Sequence, residues 1–238
     1  MTTNLTTKQY VFGDIGLELY GTPRVFEPNL TTRMLAAAMQ IQPGQQVLDL
    51  GCGVGPLAII AAKLGAAEVV AIDIMPEACE LAEENARLNG VQDKVRVVQG
   101  DLFEKLRGEK FDVIVNDVSG MAEDVSRISP WYPPSIPTGG RDGTGPTIRM
   151  LTEVQNFLKQ GGLLYFPVLS LANYHKILDY GRRLFKQMEA VAQRWVPFCK
   201  EFKQLPEKMD EMKEAGIIDF IMRRTHRLWN LEIYRATF

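Results

Sequence analysis

Three glycines and a set of carboxylates carry the first chemical signal in this sequence. Gly51, Gly53 and Gly55 follow the apolar run VLDL and precede the Ala-rich run LAIIAAKLG. Glycines between a strand and a helix let the backbone turn tightly and approach a ligand where a side chain would clash. A dinucleotide-binding turn needs a third glycine where this chain has Pro56, which argues against a pyrophosphate packed on the following helix. Asp49, two residues before the first glycine, places a carboxylate in the same crevice, hostile to phosphate and attractive to a cation such as an ammonium. Asp73 closes the next apolar run, VVAIDI, where a carboxylate can take both hydroxyls of a ribose. The plainer role for Asp73 is an acid at a helix N-terminus, favoured by the macrodipole. Asp101, in QGDLF, is placed to accept from an adenine amino group with Leu102 against the ring. Asn116 and Asp117 close a fourth apolar run. The set describes a nucleoside site without a phosphate anchor.

Such a crevice requires a parallel sheet, and the flanking sequence supplies one. Runs QVLDL, EVVAIDI, KVRVVQGD and FDVIVNDV read as strands, and LAIIAAKLG and PEACELAEENARLNG as the helices between them. Alternation of this kind implies right-handed crossovers. Upstream, LTTRMLAAAM reads as a helix capped by Asn29 or Thr31 and ended by Pro43 and Gly44. Residues 1–25, with Gly13, Gly16, Gly21 and Pro23, read as an irregular lead-in. Residues 119–147 are rich in Pro and Gly and read as one long loop, a length usually reserved for function. Then follow a helix TIRMLTEVQNFLKQ, a turn at Gly161-Gly162, a strand LLYFPVL, a helix HKILDYGRRLFKQM, a strand AVAQRWVPF, a helical PEKMDEMKEA and a last strand LWNLEIYRAT. The simplest parse is one domain, residues 34–238, behind an N-terminal extension, residues 1–33.

Composition narrows the class of partner. The chain has 238 residues, with 27 Lys+Arg against 29 Asp+Glu, a net charge of −2. That balance removes a default attraction to nucleic acid, so a nucleic-acid partner is not expected. The run MRRTHR, residues 222–227, is the strongest basic patch and reads as a solvated turn beside the acidic PEKMDEMKE. Arg182, Arg183 and Lys186 form a second, equally weak one. Cys52, Cys79 and Cys199 are too few for a disulfide framework and show no metal-ligand spacing, so no metal site is expected. The polar amino end lacks a signal-peptide layout and no apolar run reaches bilayer length, which points to a cytoplasmic protein with no membrane partner.

DLGCGVG, AIDI, GDLF and VIVND, in this order, resemble the class I S-adenosylmethionine-dependent methyltransferases, over roughly residues 25–165. The resemblance implies a Rossmann-like seven-stranded α/β sheet with helices on both faces, and S-adenosyl-L-methionine as cofactor. It implies that Gly51, Cys52 and Gly53 line the methionine part of the cofactor, Asp73 the ribose, and Asp101 with Leu102 the adenine, with Ile74 also in the cofactor set. Asp49 and Asn116 complete the expected cofactor set. Within that superfamily the chain most resembles the HemK-type glutamine and adenine N-methyltransferases. VFEPNLTTRML is similar to the segment those enzymes lay over the cofactor, with Phe26 and Thr32 in the matching positions, and SIPTGGRDGTGPTIRML to their glycine-rich loop. Where they carry Asn-Pro-Pro-Tyr, this chain has Asn116-Asp117-Val118-Ser119.

Methyl transfer from a sulfonium is an in-line displacement, so the protein must mainly position a nucleophile and exclude water. The expected catalytic residues are Asn116, orienting the acceptor, and Asp117, accepting its proton. His175 and Glu27 are further candidate bases. Trp131, Tyr132 and Arg141 are expected to form an acceptor pocket or lid, and Cys52 to be inert packing. Because the amide-gripping motif is altered, the first expectation is a small-molecule or peptide acceptor. The alternatives are a HemK-like protein N-methyltransferase acting on a translation factor or ribosomal protein, and a non-catalytic cofactor-binding subunit. A homodimer is also considered.

Overall fold

The computed structural model describes residues 6–238; residues 1–5, the start of the expected extension, lie outside it. The glycine turn and its acids sit on a sheet ordered β5-β4-β3-β6-β7-β10-β8. In chain order its strands are β3 (Gln46–Leu50), β4 (Glu68–Asp73), β5 (Val95–Gln99), β6 (Phe111–Asn116), β7 (Leu158–Leu169), β8 (Gln187–Pro197) and β10 (His226–Thr237). Strands β3 to β7 are parallel, and β10 runs antiparallel between β7 and β8. A short β9 (Ile221–Arg223) pairs with β10, so the sheet has eight strands where seven were expected.

Helices cover both faces. On one side α1 (Leu30–Ala38), α2 (Pro56–Lys63) and α3 (Pro76–Leu88) bury Leu35, Ile59 and Leu81 against Val47, Val69 and Val113. On the other, α5 (Gly145–Glu153) and α6 (Tyr174–Leu184) bury Met150, Leu151 and Ile177 against Leu48, Val70 and Ile114. Alternation along each strand therefore sorts its residues between two cores, as a parallel sheet covered on both sides requires. No helix among the described residues is long and apolar enough to cross a membrane.

Four expectations need correction. The lead-in is not irregular: β1 (Thr6–Phe12) and β2 (Ile15–Gly21) form an antiparallel hairpin about Gly13, which turns at φ +56°. Leu17 and Leu19 alternate into the core while α3 closes the outer edge of β2. Asn85 accepts from the Tyr20 N–H at 2.7 Å and donates to Tyr20 O at 3.0 Å; Asn89 does the same for Glu18. These side chains take the place of a third strand, and the edge is left with no free ladder groups there. Asn85 also donates to Val54 O in the glycine turn at 2.9 Å, tying the hairpin to the site.

The second correction is the helix placed over residues 147–160, which stops at Glu153. A 3-10 turn (Val154–Asn156) follows, and β7 begins at Leu158, absorbing Gly161 and Gly162 inside the strand. Gly162 lies where a Cβ would be 2.9 Å from Asp112 O, so this glycine permits close strand approach instead of a turn. Third, residues 119–147 hold a short α4 (Glu123–Ile128) and end inside α5. Fourth, α6 ends at Leu184, and Phe185 turns away as a buried residue. The remaining elements are α7 (Lys200–Lys203) and α8 (Pro206–Glu214).

Replacing Asn85 by Ala strands the Tyr20 N–H and the carbonyls of Tyr20 and Val54. The expected cost is about 3 kcal/mol, or roughly 6–12 °C in Tm for a chain of this size. A thermal melt within about 2 °C of the parent would mean that apolar packing alone holds the hairpin.

Candidate active site

The strand order reverses between β3 and β6, because the chain leaves β3 for β4 and β5 and then returns to β3's other edge. Side chains at the carboxyl ends of these two strands face a crevice that no crossover covers. The glycine turn lies there. Gly51 and Cys52 donate to Ile72 O at 2.8 and 2.9 Å, and Gly55 closes the turn onto Cys52 O. Gly51 has φ +72°, and a Cβ on it would lie 3.0 Å from the Val118 backbone, so the turn and the strand after β6 touch through a glycine surface. Pro56 occupies the first turn of α2, where its missing N–H is no loss. Cys52 is buried and burial pushes its thiol well up, in keeping with inert packing.

Three acids end β4, β3 and β6 on the α2 face. Asp73 accepts from the Gly53 N–H and the Met75 N–H, both at 2.9 Å, which holds the turn against the start of α3. Asp49 accepts from Ala58 N at 3.0 Å, while its second oxygen is buried without a partner. Asp117 accepts from the Thr32 hydroxyl at 2.9 Å. Burial pushes Asp49 up to about 8, with Asp117 adding repulsion, and pushes Asp117 up to about 7. Burial also raises Asp73, against the pull of its backbone donors. The crevice is thus short of positive charge.

A pH dependence follows. A folded carboxyl that keeps its proton to about pH 8, against 3.8 for its unperturbed value, stabilises the fold at low pH. That contribution is lost as pH rises through the folded value, because the unfolded chain has already released the proton. Urea unfolding of the ligand-free protein is therefore expected to show a midpoint that falls from about pH 6 to about pH 8.5, with Asp49→Asn flattening the slope. A midpoint that rises over this window would contradict the burial of these acids.

One cavity of about 630 Å³ opens over the crevice. Phe26, Thr32, Gly51, Cys52, Gly53, Asp73, Ile74, Asp101, Leu102 and Asp117 all line it, so these residues come together from five separate segments. Leu102 adopts φ +51°, which turns it back over the cavity floor. Asp101 is engaged by Arg149 from α5, Nη1 donating to Oδ2 at 2.9 Å, a partner not anticipated. The N-terminal segment roofs the cavity: Phe26 stacks edge-on against Tyr132 at 5.1 Å, and Ser135 donates to Arg24 O at 2.8 Å. Tyr132 in turn bonds Ser119 and donates to Pro137 O.

Other expected residues are not brought to the wall. Asn116 and Asp49 are fully buried behind it. Asn116 pairs in register with Leu50 and points to the opposite core from Asp117, since successive strand residues alternate faces; both polar atoms of its amide are buried without partners. It is not part of the cavity wall. His175 is exposed at the start of α6 and does not line the cavity, and Arg141 lies in a separate depression beside Asp142 and Asn173. Glu27 lines the cavity but is engaged by Lys8 at 2.7 Å and by the Tyr10 hydroxyl. The basic run forms the exposed β9–β10 turn, where Arg227 is held by Asp210 at 2.7 Å and lies over the Phe220 ring. Sequence reading missed Val196, Cys199 and Trp229 in the wall. None belongs to a local motif; they reach the cavity only because β10 inserts beside β7.

Comparison with known proteins decides the family. The ribosomal protein L11 methyltransferase family model matches residues 29–141. A Methanocaldococcus jannaschii protein named as a candidate protein N5-glutamine methyltransferase is 33% identical over 183 residues, spanning 77% of this chain and 91% of the relative. The chain belongs to the S-adenosylmethionine-dependent methyltransferases. A ribosomal protein L11 methyltransferase of Pelotomaculum thermopropionicum is 44% identical over 42% of this methyltransferase, but over only 32% of its own length. A solved ribosomal protein L11 methylase from Lactobacillus delbrueckii subsp. bulgaricus shares the fold with TM-score 0.56 and 21% identity, across 90% of this chain and 82% of that one.

The matched region of the methyltransferase runs from the cap of α1 through the loop after α4. It holds the glycine turn and all three crevice acids. The β7, β8 and β10 wall lies beyond it.

Proposed function

We propose that this methyltransferase binds S-adenosylmethionine in the cavity and methylates a small-molecule or peptide acceptor held beside Asp117. The observation that carries the reading is the row of desolvated carboxylates at the ends of β4, β3 and β6 around a glycine turn with no phosphate anchor. A nucleoside bearing cationic groups is the ligand chemistry that such a row complements. Asp73 would hold the ribose hydroxyls, Gly51 and Gly53 the methionine part, and Leu102 the adenine face. Asp49, behind the wall, accepts from the Ala58 N–H near the start of α2 and makes no contact with the ligand. The bound cofactor supplies a methyl group on a sulfonium.

The chain's own residues do the rest. Phe26 and Tyr132 close the roof and exclude water. Thr32 fixes the Asp117 carboxylate by one hydrogen bond, leaving its other oxygen to orient an acceptor O–H or N–H and to take its proton. A carboxyl pushed up to about 7 is matched to proton abstraction near neutral pH. The unexposed Asn116 favours this reading over an amide-gripping site, in which that asparagine would have to face the acceptor. A protein N-methyltransferase is the second reading, favoured by the names of the relatives.

Calorimetric titration with S-adenosylhomocysteine, with NAD as the control, tests the cofactor. Binding of the former alone supports the proposal, and binding of NAD instead removes it. Radiolabelled methyl donor then separates the acceptors in cell extract fractionated by mass. Label in the low-mass or short-peptide fraction supports the first reading, label on an intact protein supports the second, and binding without turnover on either points to a cofactor-binding subunit.

A further inference from the structure

We propose that the β7–β10–β8 end of the cavity is an acceptor subsite for an uncharged aromatic or bulky aliphatic group, a reading that rests on placing the nucleoside at the β4–β5 end. The cavity crosses nearly the whole sheet. From β4 to β10 are four strand spacings, roughly 19 Å, with Asp117 of β6 midway. Every charged side chain lining it, Glu27, Asp73, Asp101, Asp117 and Arg149, comes from the N-terminal segment, β4, β5, β6 or α5. Among the described residues none comes from β7, β8, β10 or α7. That end is walled by Leu169, Val196, Cys199 and Trp229, with Ile136 and Trp131 at the loop side.

The wall is held in place by its own packing. Trp229 is buried and pairs across the ladder with Val196. Trp131 stands 42% exposed at the rim and packs edge-on against Phe202 of α7 at 5.6 Å. A charged group entering here would lose its hydration with no partner to replace it, whereas an apolar group exchanges water for aromatic and aliphatic surface. Because the cavity is continuous with Asp117, the group filling this end belongs to the molecule that receives the methyl. The subsite would set which acceptor nitrogen or oxygen is presented, by anchoring the neighbouring apolar group.

Two of the three tryptophans line the cavity, so tryptophan emission reports occupancy directly. In a Trp195→Phe background, the neutral fluorophore N-phenyl-1-naphthylamine is expected to quench that emission and to bind together with saturating S-adenosylhomocysteine. Trp131→Ala should weaken the probe by about five-fold and Val196→Asp by about ten-fold or more, with S-adenosylhomocysteine affinity kept within about two-fold as proof of folding. Displacement by N-acetylphenylalanine amide identifies a peptide side chain as the source, and displacement by 2-naphthol alone a free aromatic molecule. Competition between probe and S-adenosylhomocysteine, indifference to both substitutions, or displacement by neither compound overturns the subsite. Asp73→Ala separates the two readings: it should weaken nucleoside binding by roughly 10²–10⁴-fold while leaving the probe bound.

Discussion

Asp117→Asn is expected to slow methyl transfer by about 10²–10⁴-fold while leaving S-adenosylhomocysteine affinity nearly unchanged. The substitution preserves volume and the hydrogen bond from Thr32, which the amide oxygen can still accept at the observed 2.9 Å. It removes only the ability to take a proton. The parent rate should rise with pH through about 7, the value to which burial pushes Asp117, and the variant should lose that limb. Initial rates with labelled methyl donor on the identified acceptor fraction provide the measurement. An unaltered rate and pH profile would remove Asp117 from the mechanism. A parallel His175→Ala change is expected to do nothing, because that ring is exposed and away from the cavity wall.

Asp73→Ala carries the second large effect. Two ribose hydroxyls would each lose a hydrogen bond to a charged acceptor, worth about 1.5–3 kcal/mol apiece, so affinity should fall by roughly 10²–10⁴-fold. The loss has a structural component too, since Asp73 also accepts from Gly53 and Met75 and so sets the turn. Circular dichroism and a thermal melt of the variant separate the two. A folded variant that binds S-adenosylhomocysteine with parental affinity would place the nucleoside elsewhere.

The two experiments act on strands separated by β3 and on different steps, binding and turnover. Their independence depends on the fold. Asp73 and Asp117 lie on opposite sides of β3, each fixed by its own donors, so neither change need disturb the other carboxylate.

Local sequence carried most of the nucleoside half. The glycine turn, the four strand–acid pairs and the helix starts at Pro56 and Pro76 are written in runs of fewer than ten residues, because backbone geometry imposes periods of 2 and 3.6 on any chain that buries one face. Proline at a helix's first turn and glycine at positive φ are local statements of the same kind. The hairpin of residues 6–21 was missed because its glycines mask the alternation of Leu17 and Leu19. What secures it is Asn85 and Asn89, about 70 positions away.

The placement of Asn116 is illegible for a different reason. In a sheet covered on both faces a strand is apolar toward both, so the run VIV before Asn116 does not reveal which core each residue joins. Only the register with β3 shows that Asn116 goes with Leu50 while Asp117 follows Asp49. The sequence by itself determined the α/β architecture, the glycine turn and the acids at the strand ends, since each is a property of adjacent residues. Tertiary structure alone decided which of those acids reach the cavity, that Arg149 engages Asp101, and that Val196, Cys199 and Trp229 wall its far end. Those contacts join segments separated by tens of residues or more, and their energy comes from packing that no local window contains.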